Sequence, residues 1–64
     1  MKKKIMVIST VKWLNGIVDM TLRIGHKDYT FSLKSQDSAW KVAFYADRGW
    51  VGRAINEARL NSIR

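Results

Sequence analysis

The chain has 64 residues, with 12 Lys or Arg against five Asp or Glu, and its formal net charge is +7. It has no cysteine and one histidine, which excludes a disulfide, a thiolate nucleophile and a multi-histidine metal site within one chain. The length allows one domain, predicted to span residues 1–64, and no apolar run approaches the ~20 residues that cross a bilayer. We therefore expect a small basic protein in the cytoplasm, without a membrane partner.

The first element is a predicted β-hairpin centred on Asn15-Gly16. Asn-Gly between two apolar runs favours a two-residue type I′ turn, which needs positive φ at both central residues. With that turn Trp13 lies opposite Val18, and Val11 lies opposite Met20. This register places apolar residues opposite apolar residues along most of the hairpin, and a one-residue shift would mix the two faces.

A third strand is predicted after a four-residue turn, Gly25-His26-Lys27-Asp28, with Ile24 opposite Tyr29. The alternation of apolar and polar residues then gives the meander two unlike faces. The predicted core face contains Val7, Val11, Trp13, Val18, Met20, Leu22, Ile24, Tyr29, Phe31 and Leu33. The predicted outer face contains Thr10, Lys12, Asp19, Thr21, Arg23, Thr30, Ser32 and Lys34.

Two helices are predicted to cover the apolar face, because such a sheet face requires a cover. The first begins at an N-cap, either Ser35 or Asp37, and ends where Gly49 supplies a C′ residue. Its predicted anchors on the sheet are Trp40 and Phe44. The second helix is predicted to pack through an amphipathic stripe of Val51, Ala54, Ile55, Ala58 and Ser62.

The predicted fold class is therefore α+β. It is a three-stranded antiparallel meander (about 4–14, 17–24 and 29–34) covered on one face by two C-terminal helices (about 36–47 and 50–62). A single helix bent at Gly49–Gly52 is the alternative arrangement of the C-terminal part.

The sequence predicts no enzyme and no cofactor. The five acids are spread over a strand, a turn, a helix cap and helix surfaces, so that no two are placed for paired acid–base chemistry. His26 lies in a predicted turn without a neighbouring nucleophile, and no phosphate-binding loop, nucleophile elbow or metal-ligand spacing occurs.

Two basic surfaces are candidate binding sites. On the outer sheet face, Lys12, Arg23 and Lys34 lie among hydroxyl side chains, which suits contacts with phosphates, although exposed strands commonly carry Thr and Lys without any ligand. In the segment Arg48-Gly49-Trp50-Val51-Gly52-Arg53, two arginines bracket a tryptophan at a predicted helix start. Here Trp50 either stacks on a base or fills a partner's pocket, or else folds back as a lid on the core.

The positive charge favours a polyanionic partner. Our first interpretation is a small non-enzymatic protein that binds nucleic acid, DNA or RNA, through the sheet face or through Arg48, Arg53 and Arg59, with help from the N-terminal lysines. The second is a small inhibitor or adaptor that binds an acidic protein through Trp50 and its flanking arginines. The third is a homodimer formed through the sheet edge at residues 5–11 or through the second apolar side of the first helix.

Overall fold

The computed structural model describes residues 4–63 and confirms the α+β fold. Three antiparallel strands form one sheet in the order β1-β2-β3, and two helices follow them. The elements are β1 (Ile5–Lys12), β2 (Val18–Ile24), β3 (Lys27–Leu33), α1 (Gln36–Asp47) and α2 (Val51–Leu60). The C-terminal part is thus two helices rather than one bent helix.

The loop of the first hairpin is one residue longer than predicted. The amide of Trp13 donates to the carbonyl of Ile17 (2.8 Å), and the amide of Gly16 donates to the carbonyl of Trp13 (3.0 Å). Gly16 has a φ of 91°, whereas Asn15 does not have a positive φ, so the type I′ prediction is wrong. A three-residue loop with glycine in the left-handed position replaces it. Val11 therefore lies opposite Asp19 instead of Met20.

A β-bulge between Val7 and Ser9 shifts the register of β1 by one further residue. A bulge adds an unpaired residue to one strand, so the inward and outward positions exchange across it. Ile5 and Val7 consequently face the helices, as Val7 was predicted to do. The predicted burial of Val11 and Trp13 is wrong, because 47% and 53% of their surfaces are exposed.

The second hairpin has a shorter turn than predicted. Ile24 pairs with Lys27, so only Gly25 (φ 64°) and His26 form the connection. The pairing of β2 with β3 differs from the prediction by two residues, which leaves every side chain on its predicted face because the side-chain period of a strand is two. Leu22 accordingly lies opposite Tyr29, which is exposed, and not opposite Phe31, which is partly buried.

The helix α1 packs through a different face from the one predicted. Trp40 and Phe44, the predicted anchors, are 64% and 49% exposed. The side chains of Ala39, Val42 and Ala46 are buried instead. The buried hydrophobic core consists of Ile5, Val18, Met20, Leu22, Leu33, Ala39, Val42, Ala46, Ala54 and Ala58.

Local signals fix the ends of the helices. The hydroxyl of Ser35 accepts a hydrogen bond from the amide of Ser38 (3.2 Å), which makes Ser35 and not Asp37 the N-cap of α1. Gly49 has a φ of 77° and ends the helix as predicted. In α2 the predicted stripe is confirmed for Ala54 and Ala58, which are fully buried, and for Val51, which packs against the core. Ser62 was also predicted to belong to it, but the helix ends at Leu60.

The two edges of the sheet differ. Residues after α2 run along β3, where the amide of Lys34 donates to Asn61 (3.0 Å), the amide of Ile63 donates to Ser32 (3.0 Å), and Ser62 bridges Leu33. Strand β1, by contrast, pairs with β2 alone within residues 4–63. None of the helices in this range is long and apolar enough to span a membrane.

Candidate functional site

The turn between the helices brings Trp50 back over the end of α1. The amide of Trp50 donates to the carbonyl of Tyr45 (3.0 Å), and the amide of Gly49 donates to the carbonyl of Ala46 (3.0 Å). These two bonds form a Schellman motif, which is commonly accompanied by an apolar contact between the residues that correspond to Tyr45 and Trp50. Their ring centroids lie 6.0 Å apart. Backbone geometry therefore fixes the position of the Trp50 ring.

Five side chains at this turn form what we call the aromatic–arginine cluster: Phe44, Tyr45, Arg48, Trp50 and Arg53. The Phe44 ring meets the Trp50 ring edge to face at 6.4 Å. The guanidinium carbon of Arg48 lies 4.5 Å from the Phe44 centroid and 5.6 Å from the Trp50 centroid. That of Arg53 lies 5.5 Å from the Trp50 centroid and 6.0 Å from the Tyr45 centroid. Both arginines are thus held by cation–π contacts beside a ring that is 44% exposed.

Within residues 4–63, neither guanidinium in the cluster forms an ion pair with a carboxylate. The ion pair found among the described residues joins Arg23 to Asp28, at the sheet. The first turn of α2 contains no acidic residue, and no side chain caps it. The N–H donors of Arg48 and Arg53 therefore remain available to an external anion.

Trp50 separates two shallow depressions in the surface. One is lined by Trp50, Gly52 and Arg53, with no carboxylate among the described residues that line it. The other contains Arg48 and Lys4, and here the carboxylate of Asp47 also contributes to the lining. The Arg53 side is consequently the more favourable one for a phosphate.

The structure does not bring together the three basic residues that were predicted on the outer sheet face. Lys12 pairs with the buried Val18, so it lies on the side of the sheet that carries the helices, although it is exposed there. Lys34 follows the last residue of β3 and is exposed. Arg23 does lie on the outer face, but it forms a bidentate ion pair with Asp28 (2.7 and 3.2 Å).

A second carboxylate, that of Asp19, further reduces the positive charge of the outer face. Asp19 accepts hydrogen bonds from the hydroxyl of Ser32 (2.7 Å) and from the indole N–H of Trp13 (2.9 Å). These bonds, that of Ser32 before that of Trp13, hold the pKa of Asp19 below its ordinary value. The hydrogen bond from Arg23 likewise lowers the pKa of Asp28. Both groups therefore stay ionised at neutral pH, and this face is a poor phosphate site.

The other residues predicted to bind a partner do not belong to the cluster, and two of them lie outside the residues that the structure describes. Arg59 is exposed in the last turn of α2. Lys2 and Lys3 lie outside the described residues. No group of three or more His, Cys, Asp or Glu side chains placed to hold a metal occurs between Lys4 and Ile63.

Two members of the cluster were not predicted to belong to it. Phe44 was assigned to the core, and Tyr45 was assigned no role. The signal for Tyr45 was present in the sequence, because a glycine at C′ predicts contact between the residue after it and the residue four positions before it. Phe44 had no comparable signal, since its exposure depends on which face of α1 meets the sheet.

Comparisons with protein-family models, with curated proteins and with solved structures found no match to this chain.

Proposed function

We propose that this protein is a non-enzymatic nucleic-acid-binding protein, and that the aromatic–arginine cluster binds a single-stranded segment of DNA or RNA. The observation that carries the proposal is that Arg48 and Arg53 flank the half-exposed Trp50, and that no carboxylate in the described part of the chain is paired to them. Alternating aromatic rings and guanidinium groups are what single-strand binding surfaces use, because every base has a π-face and every nucleotide carries a phosphate.

In this proposal the rings and the arginines have different tasks. The exposed parts of Trp50 and Phe44 stack on unpaired bases, which a duplex would hold out of reach. Arg48 and Arg53 bind phosphates, and Lys4 extends the positive surface next to Arg48. Because both guanidinium groups already lie against rings, they lose less conformational freedom on binding than free side chains would. The net charge of +7 adds long-range attraction.

The test is a salt titration of binding to fluorescent random-sequence single strands of DNA and RNA. For single strands, log K falls with log[salt] with a slope of about −0.7 for each phosphate contact. Arg48→Gln and Arg53→Gln should each make the slope shallower by about 0.7. Trp50→Ala should lower the affinity by about 1–3 kcal/mol and leave the slope unchanged, because stacking releases no counterion.

Lys12→Gln is the matched control for the loss of one charge. Lys12 lies at the opposite end of β1 from Lys4, about 26 Å away along the strand. The salt slope of Lys12→Gln should equal that of the wild type. If nucleic acid were bound at the end of the sheet near Lys12, the slope of this variant would be shallower. Negligible binding of both single strands at about 50 mM salt, where phosphate contacts are strongest, would overturn the proposal.

A second candidate function, docking on an acidic protein as an inhibitor or adaptor, is favoured by the same fixed position of Trp50. A tryptophan flanked by arginines is typical of protein-binding hot spots. A pull-down with and without nuclease separates the two functions, since a partner retained after nuclease treatment and lost in Trp50→Ala indicates protein docking.

A further inference from the structure

We propose that the free edge of the sheet is a dimer interface, in which β1 pairs antiparallel with β1 of a second copy of this chain to give a six-stranded sheet. The proposal is independent of nucleic-acid binding. It rests on the apolar residues of the β1 edge, on the distribution of charge along β1, and on the position of the bulge.

The β1 edge lacks the protection that the β3 edge has. Residues 61–63 run along β3, while β1 pairs only with β2 in the part of the chain that is described. Met6, Ile8 and Val11 of β1 are exposed, at 51%, 39% and 47%, and so is Trp13 just after the strand, at 53%. Exposed edges normally carry charges, proline or a bulge, since their free N–H and C=O groups recruit other strands. From Ile5 to Val11 the strand has a bulge but no charge and no proline, and its single lysine, Lys12, stands at the end.

The bulge restricts how two copies can pair. Met6 lies opposite Arg23 and Val11 lies opposite Asp19, so both point to the face away from the helices, with the bulge between them. Paired residues of an antiparallel sheet point to the same face, so the inward and outward positions of two copies agree along the whole of β1 only if the two-fold axis passes through the bulge. The register that satisfies this condition places Met6 of one copy opposite Val11 of the other. Val7 then lies opposite Thr10.

The same register keeps like charges apart. This is necessary because each copy has a net charge of +7, so that two copies repel each other. Lys12 lies opposite Ile5 of the other copy, on the helix side of the sheet. Lys4, the residue before β1, comes opposite Trp13 of the other copy. No lysine of β1 therefore faces a lysine of the second copy. The apolar outer residues Met6 and Val11 of the two copies pair on either side of the axis, and Ile8 lies beside it.

The oligomeric state is the first test, measured by sedimentation equilibrium without nucleic acid at physiological and at raised salt. The wild type should have twice the 7.4 kDa mass of the chain. Ile8→Lys and Val11→Lys, which place a charge in the edge, should be monomers with the circular dichroism spectrum of the wild type. His26→Lys adds the same charge at the exposed β2–β3 turn and should remain a dimer. A wild type that is monomeric at every concentration would overturn the proposal. The free edge would then be a candidate site for an extended segment of another protein.

Disulfide cross-linking tests the register without relying on a variant that weakens the dimer. The chain has no cysteine, so Met6→Cys and Val11→Cys each introduce a single thiol. Under mild oxidation a mixture of the two variants should form a covalent dimer, because opposed residues lie within disulfide distance. Each variant alone should not, since its two thiols lie about 16 Å apart along the strand. Equal cross-linking in the single variants, or none in the mixture, would overturn the register.

Discussion

Val42 and Trp40 of α1 provide a direct test of which helix face meets the sheet. Val42 is fully buried, whereas 64% of Trp40 is exposed. Val42→Ala removes two buried methyl groups, worth about 0.8 kcal/mol each, and leaves a cavity that adds to the cost. The better helix propensity of alanine returns about 0.5 kcal/mol. We therefore expect Val42→Ala to lower the free energy of unfolding by about 2 kcal/mol.

Trp40→Ala is the matched comparison, because it gains a similar helix propensity and removes a much larger side chain. Since most of that side chain is in water, we expect a loss within about 1 kcal/mol. For a domain of this size 1 kcal/mol corresponds to about 4–8 °C in Tm. Thermal and urea unfolding followed by far-UV circular dichroism should therefore separate the two variants by several degrees. A loss in Trp40→Ala equal to or greater than that in Val42→Ala would mean that Trp40 faces the sheet.

Three further predictions concern the turn, the outer face and the cap. Gly16→Ala should cost about 1–2 kcal/mol, because a φ of 91° strains an L-residue even though open space would accept the methyl group. Asn15→Ala should cost less, about 0.5–1.5 kcal/mol, because it removes one hydrogen bond. If urea unfolding showed equal losses of unfolding free energy in the two variants, a type I′ turn would be supported instead. Ser32→Ala should raise the pKa of Asp19 toward its ordinary value in a carboxyl NMR titration. Because the folded-state pKa is lowered, the stability that Asp19 provides is present above the ordinary carboxyl pKa and is lost as the pH falls through the lowered value. An unchanged pKa in Ser32→Ala would show that this hydrogen bond is not its main cause. Ser35→Ala should cost about 1 kcal/mol in thermal unfolding, and no loss would show that its hydroxyl does not cap α1.

The sequence predicts the fold where periodicity is strong. The alternation of Val18, Met20 and Leu22 in β2 identifies the buried face correctly, and the position of Gly49 correctly divides the two helices. The register of β1 was not predictable in the same way. Asn-Gly fits both a two-residue loop and a three-residue loop with glycine last, and nothing in the composition around Ile8 indicates a bulge.

The face of α1 could not be chosen from size and hydrophobicity. Trp40 and Phe44 have the larger apolar surface, but a helix that packs both on a short sheet and on a second helix needs small side chains at close approach. Ala39 and Ala46 meet this requirement, and it arises only in the tertiary structure. The candidate site was only partly predictable. Arg48, Trp50 and Arg53 could be grouped because they are close in sequence, whereas the exposure of Phe44 follows from the orientation of α1.

The four buried alanines, Ala39, Ala46, Ala54 and Ala58, imply an unusual distribution of evolutionary constraint. Every replacement except glycine enlarges such a side chain, and glycine weakens a helix. We therefore expect every substitution at these positions to lower the stability of the fold. The three tryptophans are 44% to 64% exposed, so replacing them should cost less stability than enlarging a buried alanine. In a saturation library selected only for stability, the smallest residues should be the most restricted, and a strong restriction on Trp50 should appear only under selection for binding.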